Sequence, residues 1–304
     1  MDVFGFAVSA GGDFLRAAAI DAAYELGILP QHATASLDEL ATRAGLTRAG
    51  SRRRLARLVD VLAAIGALGA PPPPRPVVAR AGWGLMADVI RSDRPLHPEG
   101  GEVELRYQLH LARTSADAAR ALVPHLGASP RSLVDFGGGA GTYVAPFLDA
   151  HPLATATLVD FGDVLAIART QLADFGARVR YLGGDARAVP VGTGHGAVLL
   201  SNLLHLHGPA ICAGLVDAAA RAVAHDGVVI VKDLRMDEDR CGPLPGLLFA
   251  LNMAIYTGEG DVYPVSQLRT WLTAAGLGRI EEHLLASAPD SVLLVARKEA
   301  AGRT

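Results

Sequence analysis

Two histidines lie close together in the segment S-N-L-L-H-L-H-G, residues 201–208. A neutral imidazole near pH 7 can take a proton from a hydroxyl group and make that oxygen a better nucleophile. A carboxylate on the other ring nitrogen would fix the tautomer and stabilise the imidazolium. The alternative is that His205 and His207 are packing residues at the end of a strand.

A glycine-rich turn, D-F-G-G-G-A-G-T, follows an apolar run and spans residues 135–142. Its glycines allow a tight turn that a ligand can approach closely. A dinucleotide site requires G-x-G-x-x-G, whereas Thr142 occupies the sixth position here. The pattern therefore favours a nucleoside without a pyrophosphate. Asp135, beside the turn, can meet the positive amino group of S-adenosylmethionine.

Two further acids follow the next β-rich runs. Asp160 lies at the end of T-L-V-D-F, where a carboxylate can accept hydrogen bonds from both ribose hydroxyls. Asp185, in L-G-G-D-A, can accept a hydrogen bond from the adenine amino group. Each acid alone could equally be a helix cap or a turn residue. Three acids and a glycine turn at successive strand ends together favour S-adenosylmethionine as the cofactor.

From Pro130 onward, short β-rich runs alternate with helical patterns, which predicts parallel strands joined by crossover helices. The predicted strands are 133–136, 157–161, 178–182, 197–201, 228–233 and 291–297. We also predict two helices between 243 and 276. Ligands bind at the carboxyl ends of parallel strands, which is where the acids and the histidine pair lie.

The first hundred residues look helical. Apolar residues recur at helical spacing from Phe14 to Leu26, and Ser36 with Glu39 forms a capping-box pattern. A third helix is predicted from about Ser51, which gives helix-turn-helix spacing. We predict a short strand and turn at 82–85, as a reduced wing, and a helical stretch at 103–126.

Four arginines at the start of the third helix suggest a rival function, a DNA-binding regulator. They are Arg52, Arg53, Arg54 and Arg57. However, the first hundred residues contain 11 Arg, no Lys and 10 acids, whereas phosphate binding requires a larger positive excess. We therefore predict dimerisation for this region, with the arginines on a solvated rim.

Composition indicates a globular chain with a sizeable core, because half of its 304 residues are hydrophobic. The net charge of −3 gives no reason to expect nucleic acid or an anionic membrane as partner. Cys212 and Cys241 suit a reducing compartment, and no Cys/His spacing resembles a zinc site, so we predict no metal. Without a basic leader or a long apolar run, we expect a cytoplasmic location.

The segment V-D-F-G-G-G-A-G and the acids after it resemble the hydroxyindole/caffeate O-methyltransferase family of S-adenosylmethionine-dependent enzymes, over about residues 14–297. The resemblance implies an α/β fold: a Rossmann-like methyltransferase sheet with an antiparallel last strand, and an N-terminal all-α winged-helix dimerisation domain. It implies a homodimer without a metal. The expected divisions are 1–100 for dimerisation, 101–130 for a linking helix and 131–304 for cofactor binding.

The resemblance also implies a set of cofactor-binding positions. These are Asp135, Gly137, Gly138, Gly139, Gly141, Asp160, Phe161, Asp185, Ala186 and Ser201. Ser201 stands where many members have a lysine near the carboxylate of the cofactor. Aligned on Asn202, His205 takes the position of the catalytic base, while Leu206 and His207 replace an Asp and a Trp. Asp233 takes the position of the acid that accompanies the histidine.

The helix G-L-L-F-A-L-N-M-A-I-Y is expected to form the acceptor pocket. Its candidate substrate-binding residues are Phe249, Asn252, Met253 and Tyr256, which share one broad face, and Tyr107 and His110 on an earlier helix are weaker candidates. The alternative is an apolar core helix with a satisfied asparagine. The family has a second acid in the loop before the penultimate helix. Its position aligns with Val262 here, and Glu259 and Asp261 lie nearby in the sequence.

The sequence thus predicts an enzyme that transfers a methyl group from S-adenosylmethionine to a small-molecule acceptor of secondary metabolism. A hydroxyl acceptor with His205 as general base is favoured. The alternatives are a carbon, nitrogen or sulfur acceptor, or a relative with non-methylating chemistry, because the neighbours of His205 depart from the family motif.

Overall fold

The computed structural model describes residues 12–29, 35–69, 71–96, 101–127 and 130–298, and the side chains of these except 12, 101–105 and 107. The chain forms two compact units. Unit 1 comprises Met1–Pro98, His205–Gly208 and Arg235–Pro264, and unit 2 comprises Glu99–Leu204, Pro209–Leu234 and Val265–Thr304. The domain boundaries expected near 100 and 130 stay predictions.

Unit 2 is built on a seven-stranded sheet with the order β3-β2-β1-β4-β5-β7-β6. The strands are β1 Ser132–Phe136, β2 Thr155–Asp160, β3 Val179–Gly183, β4 His195–Ser201, β5 Val223–Leu234, β6 Leu277–His283 and β7 Ser291–Lys298. Strands β1 to β5 pair in parallel, whereas β7 is antiparallel to both β5 and β6. The six predicted strands and the α/β class are confirmed, and β6 is an addition that the sequence analysis missed.

The described residues contain eleven α-helices, five in unit 1 and six in unit 2. They are α1 Gly12–Glu25, α2 Leu37–Arg43, α3 Ala49–Ala64, α4 Met86–Ser92, α5 Gly101–Thr114, α6 Ala116–Leu122, α7 Val144–Ala150, α8 Gly162–Gln171, α9 Pro209–Ala222, α10 Leu244–Tyr256 and α11 Val265–Ala274. The two helices expected between 243 and 276 are therefore present as α10 and α11.

One face of the sheet carries the main core of unit 2. Residues that pair across neighbouring strands place their side chains on the same face, as Leu133 does with Ala156 and Ala197. This face is buried against apolar side chains of α6, α7 and α8, including Leu122 and Phe147. The apolar runs that predicted the strands are thus the residues that exclude water from the sheet.

In unit 1, α10 packs against α3, and α1 packs against α3 and α4. The capping box at Ser36 and Glu39 is present, so α2 begins where the sequence predicts. The strand predicted at 82–85 is wrong, because these residues form a 3-10 helix, Gly82–Leu85. The indole of Trp83 in this turn is buried and its Nε1 donates to Oδ1 of Asn252 at 2.7 Å. A contact across 169 residues thus helps to fix the local conformation.

Arg53 and Arg54 of α3 do not lie on the solvated rim that we predicted for the four arginines. Arg54 is only 1% exposed and donates to Asp93 and to the carbonyl of Thr257. Arg53 donates to the carbonyls of Gly258 and Gly260. These guanidinium groups satisfy backbone oxygens that follow α10, and this internal use explains the cluster without a nucleic acid.

Candidate cofactor and acceptor site

The glycine turn leaves the carboxyl end of β1 in unit 2. Gly137, Gly139 and Gly141 have φ values of +66°, +56° and +82°, a region that side chains with a Cβ rarely adopt. The N–H of Gly137 donates to the carbonyl of Val159 at 2.8 Å, which fastens the turn to β2. Glycine is therefore required here by backbone conformation.

Close neighbours impose the same requirement. A Cβ on Gly137 would lie 2.7 Å from Cδ1 of Leu203, and a Cβ on Gly138 would lie 2.6 Å from Cγ of Leu158. On Gly141, a Cβ would lie 2.5 Å from Cδ1 of Leu172. The turn is thus in tight contact with three leucine side chains.

Asp135 is a buried carboxyl group next to the turn. Its side chain is 1% exposed, and its Oδ2 makes no hydrogen bond within the described part of the chain. That oxygen lies 3.0 Å from where a Cβ on Gly138 would be. Burial, together with the charge of Asp160, raises the pKa of Asp135 to about 8. A buried carboxyl whose Oδ2 has no hydrogen-bond partner in the described chain fits a ligand that brings a positive amino group to the glycine turn.

Asp160 ends β2 next to the turn. Its Oδ2 accepts from the N–H of Gly139 at 2.9 Å, and its Oδ1 accepts from the N–H of Phe161 at 2.7 Å. The structure thus brings Asp160 together with the glycine turn, as the sequence analysis expects of a shared site. The Phe161 side chain is 66% exposed, an unusual position for a phenyl ring that a flat ligand could cover.

Asp185 and Ala186 lie in the loop after β3. The Asp185 carboxylate accepts from the backbone N–H of Arg187 at 2.9 Å and from its Nε at 3.0 Å. An adenine amino group would have to share this carboxylate with the guanidinium. Ala186 is buried beside it.

Ser201 and Lys232 lie opposite each other at the ends of β4 and β5. Both are buried, and the Nζ of Lys232 donates to Oδ1 of Asn202 at 2.8 Å. The sequence analysis included Ser201 but missed Lys232. A lysine that ends the run V-V-I-V could have been noticed as unusual for a buried parallel strand.

His205 lies in the short 3-10 helix Leu204–Leu206 and belongs to unit 1. It is 4% exposed, and its ring contacts that of Phe249 edge-on, with centroids 4.8 Å apart. Its carbonyl accepts from the N–H of Asp261 at 3.0 Å. The carbonyl of His207 accepts from the hydroxyl of Tyr263 at 2.6 Å. The structure therefore brings His205 together with one predicted acceptor residue, Phe249.

Asp233 belongs to unit 2 and is buried at the end of β5. Its Oδ1 accepts from the N–H of Leu234 at 2.8 Å. The pairing of Asp233 with His205, which joins residues of different units, stays a prediction.

Asp261, which follows α10, belongs to a cluster of charged side chains in unit 1. Asp261 accepts from Arg240 at 2.8 Å and forms an ion pair with Arg57 at 3.4 Å. Asp60 completes this cluster through Arg57. The side chain of Asp261 is thus held by two arginines, while its backbone N–H donates to the His205 carbonyl.

The acceptor candidates on α10 are buried within unit 1. Asn252 is 7% exposed and accepts from Trp83, which agrees with the alternative of a satisfied asparagine. Met253 and Tyr256 are also buried, and burial raises the pKa of the Tyr256 hydroxyl. Tyr107 lies in α5, and its side chain is outside the described residues. Its place in an acceptor pocket stays a prediction.

Across the described residues, we find no group of three or more His, Cys, Asp or Glu side chains arranged to hold a metal ion. Nor does the described chain include a helix that has both the length and the apolarity of a membrane span.

Comparisons with known proteins agree on one family. A family model described as an O-methyltransferase domain matches residues 113–278. The 3-hydroxy-5-methyl-1-naphthoate 3-O-methyltransferase of Streptomyces sahachiroi is 30% identical over 219 residues, which cover 68% of this chain and 63% of that protein. This chain thus spans less than two thirds of the relative's length.

Solved structures share the fold along nearly the whole chain. An O-methyltransferase family 2 protein from Planctomyces limnophilus, solved with apigenin, has a TM-score of 0.71 at 22% identity and covers 98% of this chain and 99% of its own. Human N-acetylserotonin methyltransferase, solved with S-adenosylmethionine, has a TM-score of 0.64 at 19% identity, with coverage of 95% and 96%. Because the family model spans more than half of the sequence, this chain belongs to the O-methyltransferase domain family.

Proposed function

We propose that this protein transfers a methyl group from S-adenosylmethionine to a hydroxyl group of a small-molecule acceptor. The observation that carries the proposal is Asp135: a buried carboxyl without a hydrogen-bond partner for its Oδ2 in the described chain, directly beneath a packed glycine turn. Family membership gives this arrangement its chemical meaning.

The residues at the ends of the strands fit the parts of this cofactor. Asp135 would receive the ammonium group of the amino-acid end, because an incoming positive charge offsets the cost of ionising a buried acid. The turn glycines would let the backbone approach the ligand, Asp160 with Phe161 would hold the ribose, and Asp185 with Ala186 the adenine. Bound S-adenosylmethionine supplies an electrophilic methyl group on a sulfonium that needs no further activation.

His205 would act as the general base. A neutral imidazole next to the acceptor hydroxyl takes its proton as the oxygen attacks, and Asp233 would stabilise the imidazolium. Burial of His205 against Phe249 limits its freedom, which favours one orientation of the ring. The protein must otherwise align the oxygen, the methyl group and the sulfur.

The acceptor would contact Phe249, Asn252, Met253 and Tyr256 of α10, and also Tyr107 of α5. A hydroxylated aromatic acid is the first class to test, because the Streptomyces relative is named for a hydroxynaphthoate. A smaller or aliphatic acceptor is the second class, since only 5% of the residues are aromatic. We further place the enzyme in secondary metabolism, following the Streptomyces relative, and in the cytoplasm.

The N-terminal helices would serve dimerisation as a winged-helix-like domain. This part of the proposal rests on the helix-turn-helix spacing and on the internal use of the α3 arginines. Analytical ultracentrifugation would show a mass of about twice the chain mass of 31.6 kDa. A monomer at micromolar concentration would contradict it.

The reaction is tested by incubating the protein with S-adenosylmethionine that carries an isotopic label in its methyl group, and with a panel of hydroxylated aromatic acids. We expect a labelled methyl ether. A labelled product at carbon, nitrogen or sulfur would support the alternative acceptors. Cofactor binding without transfer to any acceptor would favour the non-methylating alternative.

A further inference from the structure

Lys232 is a buried cation at the ligand-binding edge of the sheet. It is 5% exposed and lies two residues before the end of β5, opposite Ser201 of β4. Its Nζ donates to the side-chain oxygen of Asn202 at 2.8 Å, so the ammonium group reaches the carboxyl end of β4. The ammonium therefore lies at the strand ends where a ligand of this fold would bind.

Asn202 links Lys232 to the glycine turn. The Asn202 backbone has φ of +53°, and its N–H donates to the carbonyl of Lys232 at 2.8 Å. The next residue, Leu203, packs so closely on Gly137 that a Cβ there would lie 2.7 Å from it. The lysine is thus connected by two consecutive residues to the turn above Asp135.

Lys232 and Asp135 lie on the same face of the sheet. Asp135 is paired with Leu199, and Ser201, two residues further along β4, is paired with Lys232. Side chains two residues apart in a strand share a face. β1 and β5 are separated by two strand spacings of about 4.8 Å each. An acidic side chain from β1 and a basic side chain from β5 can together span this distance.

A buried ammonium paired with a neutral amide favours an additional anion. Burial lowers the pKa of Lys232 to about 8, although the charge of Asp233 acts in the opposite direction. At pH 7 the side chain still carries its proton. Moreover, Lys232 is the only Lys or Arg within the last three residues of β1, β4 and β5.

We propose that Lys232 binds the carboxylate of the amino-acid end of the cofactor, next to the ammonium group that Asp135 receives. An α-amino acid carries both charges on one carbon, and these two side chains, from two strands of one face, can take up the complementary charges as the ligand binds. The inference rests on the proposed function, since it assigns a partner to a ligand that the function requires. It makes Lys232 a determinant of specificity for cofactors with an intact amino acid.

The test compares two ligands by titration calorimetry at pH 7. S-Adenosylhomocysteine has the amino-acid end, whereas 5′-methylthioadenosine keeps the adenine, ribose and sulfur but lacks it. Lys232→Met should weaken binding of S-adenosylhomocysteine about 10- to 100-fold, the size of a charged hydrogen bond, and leave binding of methylthioadenosine unchanged. An equal loss for both ligands, or no loss for either, would overturn the inference.

The ratio of the two affinities separates ligand contact from a structural role. Asn202→Ala removes the amide partner but keeps the ammonium, so the preference for S-adenosylhomocysteine should persist. If Lys232→Met disturbs the strand, Lys232→Gln removes the charge but keeps a polar side chain, and it allows the same comparison of the two ligands. Lys298→Met is the matched control, because Lys298 donates to the carbonyl of Val223 at the start of β5. If the wild-type protein binds no S-adenosylhomocysteine, the proposed function itself fails and this inference fails with it.

Discussion

At the scale of single residues, the candidate site depends on two buried ionisable groups, Asp135 and Lys232. The opposite charges of a bound ligand would balance their charges. Asp135 is the clearest example, because its carboxyl is fully enclosed and its pKa is raised to about 8. Between about pH 4 and pH 8, the unfolded chain has released this proton while the folded protein retains it. Stability of the ligand-free protein therefore falls as pH rises through this window.

Asp135→Asn should remove this pH-dependent cost. The unfolding free energy of the variant, relative to wild type, should increase by up to ~1.4 kcal/mol per pH unit between about pH 4 and pH 8, then level off. Denaturant unfolding of the ligand-free protein at several pH values measures it. Asp149→Asn, at an exposed position on α7, is the control for introducing an asparagine. A difference that does not vary with pH would show that Asp135 is ionised in the folded protein.

His205→Gln tests the proposed base. Turnover should fall by about 10² to 10⁴, the usual contribution of a general base, while affinity for S-adenosylhomocysteine is retained. His207→Gln is the matched control and should keep most turnover, because the hydrogen bond from Tyr263 goes to the backbone carbonyl of His207, which the substitution keeps. Undiminished turnover of His205→Gln would mean that the acceptor needs no base.

At the scale of elements, the glycine turn combines a backbone conformation with tight packing. Gly137→Ala should destabilise the protein by about 2–4 kcal/mol, from the left-handed backbone and the overlap with Leu203. Gly276→Ala meets the same backbone requirement in open space and should cost only about 1–2 kcal/mol. Chemical denaturation of both variants gives the comparison. Equal losses would show that packing against Leu203 adds nothing.

The sequence predicted elements best where apolar residues repeat. β1, β2, β4, β5 and β7 each contain an apolar run, and residues of these runs lie in the core. β6 was missed because L-G-R-I-E-E-H is largely charged and lies at the sheet edge, where only β7 pairs with it. The wrong strand at 82–85 illustrates a different limit, since four residues carry no clear period and Trp83 is held by the distant Asn252.

The candidate site was predictable to the extent that its acids and glycines follow strands. What the sequence could not provide is which strand lies beside which. Lys232 and Ser201 are 31 residues apart and become neighbours only because β4 pairs with β5 in this register. Likewise, Arg53 and Arg54 were expected in solvent because their partners lie more than 200 residues away.

At the scale of the whole molecule, the two compact units do not follow chain order. The segments directly after β4 and β5, His205–Gly208 and Arg235–Pro264, belong to unit 1 with the N-terminal helices. The predicted base and most acceptor residues therefore belong to one unit, and the residues proposed for cofactor binding belong to the other. Cofactor binding is assigned entirely to residues of unit 2.

The most direct test of the account is calorimetric titration of the purified protein with S-adenosylhomocysteine, with NAD⁺ as the comparison ligand. The account predicts saturable binding with one site per chain for the nucleoside, and none for the dinucleotide, because the glycine turn lacks the third glycine of a dinucleotide motif. Absence of binding by S-adenosylhomocysteine, in protein shown to be folded, would contradict the central claim.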